Sequence, residues 1–221
     1  MVILTAITLK AHYSLAGARD LTWMLRPLAA LLTFTTGYLY VATDGGEWIS
    51  VAAGIILVKS CAGINFMLMS FIGWCWMLRP SPLIDNTAWL VFERIVLLLC
   101  SLVLAWGTAL GINALRIAAM PILQDLLSPL LTHSASHRCV GLLIYLPALT
   151  LQLLITEHHS PHNAVKLAAF LYTGIVLLLP LLTGNAWQDI GLYTEHLIMV
   201  LVGISALSGG VSLFLGRRRR I

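Results

Sequence analysis

Long apolar runs separated by short polar segments make up most of the chain. Several runs approach or exceed the length that a helix needs to cross a lipid bilayer, about 20 residues. The pattern predicts an all-α fold, a polytopic integral membrane helix bundle of about six to eight spans, forming a single domain over residues 1–221. Met1–Leu9 is a candidate span only if it extends through Tyr13 or an earlier segment precedes it. The principal expected spans are Leu28–Thr43, Ser60–Leu78, Ala88–Ile112, Val140–Thr156, Ala164–Thr183 and Glu195–Gly216.

The composition agrees with a membrane protein, because 59% of the 221 residues are hydrophobic and only 10% are charged, whereas soluble domains are about a quarter charged. The chain ends in Arg217–Arg220, and the positive-inside rule places that end in the cytoplasm. Counting back through the spans places Lys10–Pro27, Arg79–Thr87 and Glu157–Asn163 inside, and Asp44–Lys59, Asn113–Cys139 and Gly184–Thr194 outside. Among the basic residues this leaves only Lys59, Arg116 and Arg138 outside, where they need a separate explanation.

The segment Ile49–Val58, ISVAAGIILV, is rich in β-branched residues and has a glycine near its centre. This composition favours an extended or re-entrant segment at the outer face over a helix. A helix that begins after it would have Ser60 as its N-cap and Cys61 in its first turn. A helix N-terminus and a neighbouring lysine, here Lys59, both favour the nucleophilic thiolate form of a cysteine. The arrangement indicates a reactive cysteine.

Two further residues of this stretch support that interpretation. Gly63 would let another part of the protein or a substrate approach closely, and Asn65 would lie one turn from Cys61 on the same helix face. The alternative is that Cys61 is a small buried apolar residue, which is the more common role of a cysteine. That ordinary role is the one expected for Cys75, Cys100 and Cys139.

Two more polar patches fall on the outer side of the expected topology. Asn113 and Arg116 share a helix face, although an isolated arginine there could instead extend to a lipid headgroup. His137 lies just before the next span, four residues before Gly141, which is a candidate close packing point. A cysteine, an arginine and a histidine supply the nucleophile, the oxyanion stabiliser and the general base of acyl transfer. The three patches together predict a catalytic site that contains Cys61.

The remaining polar features of the sequence do not predict a bound metal ion, a cofactor or a nucleic acid. His158, His159 and His162 have the composition of a metal site, but their spacing is loose and they fall on the opposite membrane face, so no metal site is predicted. The sequence contains no motif typical of a nucleotide or nucleic-acid site, and we expect no cofactor and no nucleic-acid partner. Membrane lipid is the expected surrounding of the spans.

Two other functional classes stay open at this point. The first is a small transporter or channel in which Lys59, Arg116 and His137 line an anion or proton path. Such a path needs polar residues at mid-membrane on several spans, whereas the polar residues here crowd at one face. The second is a membrane assembly factor without catalytic activity, which only an activity measurement separates from an enzyme.

Three motifs make the chain resemble the exosortase/archaeosortase family, and within it the exosortase K type. They are CAGINF from Cys61, NALRI over Asn113–Ile117 and HRCVG over His137–Gly141. The early segment LKAHYSLAGARDLTW, Leu9–Trp23, is similar as well, so the resemblance covers the chain from there to about Leu149. The order of these motifs in a multi-span protein makes the resemblance fairly specific.

The resemblance implies a membrane-embedded cysteine peptidase and transpeptidase of a prokaryotic cytoplasmic (inner) membrane, with its active site facing outside. Such enzymes act on exported proteins that end in a short recognition motif, a transmembrane helix and a basic tail. They cleave the chain near the motif and transfer the acyl group to an acceptor.

The family's catalytic cysteine, arginine and histidine correspond to Cys61, Arg116 and His137. The residues expected to support the site or bind the substrate are Lys59, Asn65, Asn113 and Arg138. The usual motif of the family has a serine at the position of Ala62, so the resemblance leaves the recognised signal open.

Overall fold

The computed structural model of the chain describes residues 1–78, 87–129, 131–156, 161–182, 187 and 189–218. This part of the chain is predominantly helical, as the all-α prediction requires. The helices are α1 (Val2–Leu15), α2 (Thr22–Thr36), α3 (Ile64–Met77), α4 (Thr87–Leu127), α5 (His133–Thr156), α6 (Pro161–Thr173), α7 (Leu179–Leu182) and α8 (Ile190–Arg218). A small antiparallel sheet of three strands, β1 (Val41–Ala42), β2 (Trp48–Ser50) and β3 (Ile55–Leu57), lies between α2 and α3 in the chain.

Within the described residues, five stretches are long and apolar enough to cross a membrane. They are Lys59–Met77, Trp89–Leu127, Ser134–Ile155, Pro161–Leu181 and Ile190–Leu213. Helix α1 is apolar too, but its 14 residues extend over only about 21 Å. The chain forms two compact units, Met1–Ala118 and Ala119–Ile221, and these are described in turn. The prediction of one domain over residues 1–221 stays a prediction.

The expected span Leu28–Thr43 is wrong. Helix α2 ends at Gly37, whose φ of +75° places the backbone in the left-handed region and turns the chain out of the helix. One side of α2 is packed inside the first unit, against β2 and the turn before α3.

The expected extended segment before Cys61 is confirmed. Strands β2 and β3 pair with Trp48 opposite Leu57 and Ser50 opposite Ile55. The central glycine of ISVAAGIILV, Gly54, has a φ of +64° and lies in the turn that joins the two strands. Glycine adopts that conformation without the steric cost that a side chain would add.

Helix α1 packs along α3 and runs in the opposite direction. At one end, Met1 lines the same cavity as Cys75 and Leu78. At the other end, the carbonyl oxygen of Ser14 accepts a hydrogen bond of 3.2 Å from Lys59 Nζ. Helix α1 therefore lies alongside α3 over most of the length of α3.

This geometry contradicts the predicted placement of Lys10–Pro27 and Asp44–Lys59 on opposite sides of the membrane. The two segments are in contact at the hydrogen bond between Lys59 and Ser14 and where Arg19 Nε donates to the Asp44 carbonyl oxygen at 2.7 Å. They lie at the same end of the unit because α2, which connects them, does not carry the chain across it.

Helix α4 packs against α3, where Trp74 Nε1 donates to Thr108 Oγ1 at 3.3 Å. Helix α4 passes its expected end at Ile112 and continues to Leu127, and Pro121 does not interrupt it. The expected loop Asn113–Cys139 is therefore wrong over most of its length, because the helix-forming sequence simply continues. The other expected connections, Arg79–Thr87, Glu157–Asn163 and Gly184–Thr194, lie partly outside the described residues.

In the second unit, α5, α6 and α8 pack against one another. A Cβ atom built on Gly203 of α8 would come within 2.6 Å of Leu142 Cδ2 on α5, so the absence of a side chain at Gly203 allows this close approach. The expected packing point at Gly141 is wrong, since a Cβ atom there would meet no described atom within 4 Å beyond its own helix. Helix α5 also begins before the expected Val140, and α6 continues through the π-helical segment Gly174–Leu178 into α7.

Candidate active site

Cys61 lies in a 3-10 turn, Lys59–Ala62, which connects β3 to α3. The prediction that Ser60 caps the next helix and that Cys61 lies in its first turn is wrong. The Cys61 N–H donates to the Val58 carbonyl oxygen at 2.8 Å, and α3 begins only after Gly63, whose φ is +70°. A left-handed glycine separates the turn from the helix, so the cysteine is not part of the helix N-terminus.

The thiol of Cys61 is buried but close to the surface. Its side chain is 8% exposed, and Sγ lies 3.9 Å from the carbonyl oxygen of Ile56 in β3, a contact that a weak thiol donor can make. The preceding residue, Ser60, is exposed. The sulfur atom therefore lies beneath an exposed residue of the turn.

Asn113 of α4 fixes the position of this turn. Its side chain is fully buried, and its amide donates a hydrogen bond to the Cys61 carbonyl oxygen. A Cβ atom on Gly63 would lie 3.1 Å from Asn113 Cγ and Nδ2, so Gly63 is the predicted point of close approach and Asn113 is what approaches it. Leaving a buried carbonyl without its donor costs about 1–3 kcal/mol, which makes this bond a strong constraint on the turn.

Arg116 lies on the same face of α4 as Asn113. Side chains three residues apart on a helix have Cβ atoms about 5–6 Å apart, so Arg116 starts one turn from the group that holds the Cys61 backbone. It is only 6% exposed, and this burial argues against the alternative in which Arg116 extends to a lipid headgroup. The structure thus joins Asn113 to Cys61 and places Arg116 one helical turn from Asn113, and the joint action of Arg116 with Cys61 stays a prediction.

Two lysines lie beside the turn that contains Cys61: Lys59 begins the turn, and Lys10 belongs to α1. Lys59 Nζ lies 5.1 Å and Lys10 Nζ 5.4 Å from the centre of the Tyr13 ring, so one aromatic ring contacts both ammonium groups. Lys10 Nζ also donates to Asn65 Oδ1 at 2.8 Å. The prediction that Asn65 shares a helix face with Cys61 is wrong, because Gly63 interrupts the helix between them, and Asn65 instead binds a lysine of α1.

His137 and Arg138 belong to the second unit, in the first turns of α5. His137 is exposed, and Arg138 forms an ion pair with Glu195 of α8. His196, which follows Glu195 in α8, has a buried Nδ1 atom with no hydrogen-bond partner among the described residues. Arg138 therefore connects two helices of its own unit, and the joint action of His137 with Cys61 stays a prediction.

Three residues of these arrangements, Lys10, Tyr13 and Glu195, are not among the residues predicted to form a site. A lysine and a tyrosine at the end of an apolar run are nevertheless a visible signal for Lys10 and Tyr13. Glu195 is an acid at the start of an apolar span, a position that calls for a partner, and its partner is Arg138.

Nothing in the described part of the chain forms a group of three or more His, Cys, Asp and Glu side chains that could hold a metal ion. Of the histidine cluster, His162 is exposed, and His158 and His159 lie outside the described residues. Comparison of the chain with family models, with curated proteins and with solved structures gave no match.

Proposed function

We propose that the chain is a membrane-embedded cysteine peptidase and transpeptidase. Its substrates are exported proteins that end in a recognition motif, a transmembrane helix and a basic tail, as the resemblance to the exosortase/archaeosortase family implies. The enzyme cleaves near the motif and passes the acyl group to an acceptor amine or hydroxyl, or to water. It resides in the cytoplasmic membrane of a prokaryote.

One observation carries the proposal: the buried Asn113 amide donates to the carbonyl oxygen of Cys61 itself. The bond gives a partner to a backbone carbonyl outside the α-helices and strands, and it fixes the position of the residue whose thiol is the proposed nucleophile. The bond also aligns the turn with the helix face that carries Arg116, a buried planar cation suited to a developing oxyanion. The proposed nucleophile and the proposed oxyanion stabiliser therefore belong to two elements that this bond holds together.

The reaction proceeds by acyl transfer. The Cys61 thiolate attacks the scissile carbonyl carbon, and Arg116 stabilises the negative charge that develops on the carbonyl oxygen. His137 takes the thiol proton and returns it to the departing amine. The thioester that remains on Cys61 is then opened by the acceptor, and exclusion of water favours transfer over hydrolysis.

The orientation of the site follows from α1. In the proposed topology α1, rather than Leu28–Thr43, is the first crossing, so the number of crossings between the chain start and Arg217–Arg220 does not change. With the arginine tail in the cytoplasm, the Cys61 end of α3 still faces outside. This topology also assigns Lys10, Arg19 and Arg26 to the outer side. The positive-inside argument then rests chiefly on the arginine tail, Arg217–Arg220.

Substitution of Cys61 tests the function. Cys61→Ala should leave a folded, inserted protein that no longer processes a co-expressed target with the three-part C-terminal signal, because no other group supplies the nucleophile. The matched control is Cys75→Ala, at the other end of the same span, which should process the target at the parent's rate. Processing is measured as the shift of the target to its shortened form; full processing by Cys61→Ala would refute a cysteine mechanism.

A further inference from the structure

Lys10 and Lys59 form a paired cationic site to which the proposed acyl transfer assigns no chemical step. The two residues come from different elements, yet both ammonium groups lie over the Tyr13 ring, at 5.4 Å and 5.1 Å from its centre. Their hydrogen-bond acceptors are neutral: Asn65 Oδ1 for Lys10, and the Ser14 carbonyl oxygen for Lys59. Within the described residues, neither lysine forms an ion pair with an acidic side chain.

Two like charges brought together in this way repel each other, and an anion between them removes that cost. Cation–π contacts and neutral acceptors orient the ammonium groups but do not cancel their charge. A lysine ammonium is a compact point charge with three donors, which suits the tetrahedral oxygen array of a phosphate. The pair therefore has the charge and the donors to bind a phosphate group.

The surface next to the pair is apolar and exposed. Ile3 and Ile7 of α1 are 75% and 60% exposed. With Lys10 they follow the spacing of one helix face, so an apolar strip about 10 Å long leads away from the lysine pair. At the same end, Lys59 is the first residue of a candidate membrane span.

We propose that Lys10 and Lys59 together bind the phosphate of an anionic membrane lipid, whose acyl chains lie along Ile7 and Ile3. The apolar strip favours a lipid phosphate over a free phosphate ion, because only the lipid covers the exposed isoleucines. The site rests on the membrane placement of the chain, but it does not require Cys61 to be a nucleophile. A bound lipid would also hold α1 against the start of α3, beside the turn that carries Cys61.

The test uses the purified full-length protein in an uncharged detergent, with binding followed by native mass spectrometry. The parent should retain phosphatidylglycerol in preference to phosphatidylcholine, and millimolar inorganic phosphate should not displace it. The double variant Lys10→Gln/Lys59→Gln should bind phosphatidylglycerol about thirtyfold more weakly, the scale expected for two lysines near an anionic surface. Lys10→Arg/Lys59→Arg keeps both charges and should therefore lose much less affinity than the Gln pair.

The control is Lys166→Gln, which removes an exposed lysine of α6 and should leave binding unchanged. The proposal fails if the double Gln variant binds like the parent, if Lys166→Gln loses as much affinity, or if the parent does not distinguish the two lipids. Displacement by inorganic phosphate alone would also overturn it in favour of a free anion site. Should the Gln pair not fold, the single variant Lys59→Gln gives the same comparison, with about fivefold weaker binding expected. Cys61→Ala should bind the lipid like the parent, so failure of the peptidase proposal would leave this result standing.

Discussion

The two ends of α3 carry the same residue type in different surroundings. At one end, Cys61 lies in a turn whose carbonyl group is held by a buried asparagine of α4. At the other end, Cys75 lies within the regular helix and lines a mainly apolar cavity of about 320 Å³. The cavity is also lined by Met1, Val2, Leu78, Arg94, Leu97, Leu98 and Ser101.

The difference shows where an apolar helix bundle can hold polar and reactive side chains. Inside a helix the backbone groups bond to one another, so the backbone at Cys75 needs no side chain from another helix. Where the chain leaves regular structure, backbone groups need other partners, and polar side chains are brought in to supply them. Asn113 is such a partner, and the same helix face presents Arg116.

The largest effect expected from this comparison is the loss of the planar cation. Arg116→Lys keeps the charge but loses the fork of donors, and the loss of one oxyanion donor commonly lowers the rate about 10²–10³-fold. The matched control is Arg94→Lys, at the Cys75 end of the unit, which should process the target at the parent's rate. Rates are compared on one target at equal protein levels. Equal activity of Arg116→Lys and the parent would remove the oxyanion role and reduce Arg116 to a plain charge.

A smaller effect is expected from a single methyl group at the turn. Gly63→Ala adds a side chain at a φ of +70° and within 3.1 Å of Asn113, whereas Gly37→Ala adds one at a φ of +75° with open space around it. Both should destabilise the protein by about 1–2 kcal/mol through the backbone, and crowding should cost Gly63→Ala about 1–3 kcal/mol more. The thermal midpoints of the two variants in detergent give the comparison.

The same pair of glycines can show that Asn113 causes the difference. In a background of Asn113→Ala, which removes the two nearest atoms, Cγ and Nδ2, and leaves Cβ at 3.3 Å, the extra loss for Gly63→Ala over Gly37→Ala should shrink. If the two glycine variants melt alike from the start, the contact between Gly63 and Asn113 does not constrain the turn.

The sequence predicted the helical class and the placement of Cys61 and Asn113 at the same end of two adjacent spans, because the lengths of the apolar runs determine where each span ends. It also predicted the extended segment before Cys61, since β-branched residues around Gly54 are a local signal as well. It did not predict the end of α2 at Gly37 or the break at Gly63. A glycine is compatible with both a helix and a left-handed turn, and packing by distant residues decides between them.

Tertiary contacts also decided the topology. The apolar run Leu28–Thr43 has the composition of a span, but the contacts of Arg19 with Asp44 and of Lys59 with Ser14 join the segments on either side of it. Such contacts join residues far apart in the chain and leave no mark in hydropathy. The partnership of Arg138 with Glu195 is hidden in the same way.

The smallest expected effect is a difference in the rate of thiol labelling. It tests which segments lie on the same side of the membrane. In a cysteine-free background, Gly17→Cys and Ser60→Cys should both react with a membrane-impermeant maleimide added outside, because their segments touch. Met77→Cys, at the opposite end of α3 and 41% exposed, should react at least several-fold more slowly until the membrane is opened. Labelling of Gly17→Cys together with Met77→Cys, and not with Ser60→Cys, would restore Leu28–Thr43 as a crossing.

The central claim is that Cys61 forms the covalent intermediate, and the intermediate itself is the most direct measurement. Protein purified during turnover of a target should be quenched in acid, digested and mapped by mass spectrometry. We expect a thioester adduct on the peptide that contains Cys61, released by neutral hydroxylamine, and an unmodified peptide containing Cys75. An adduct on Cys75, or continued processing with no adduct on any cysteine, would contradict the claim.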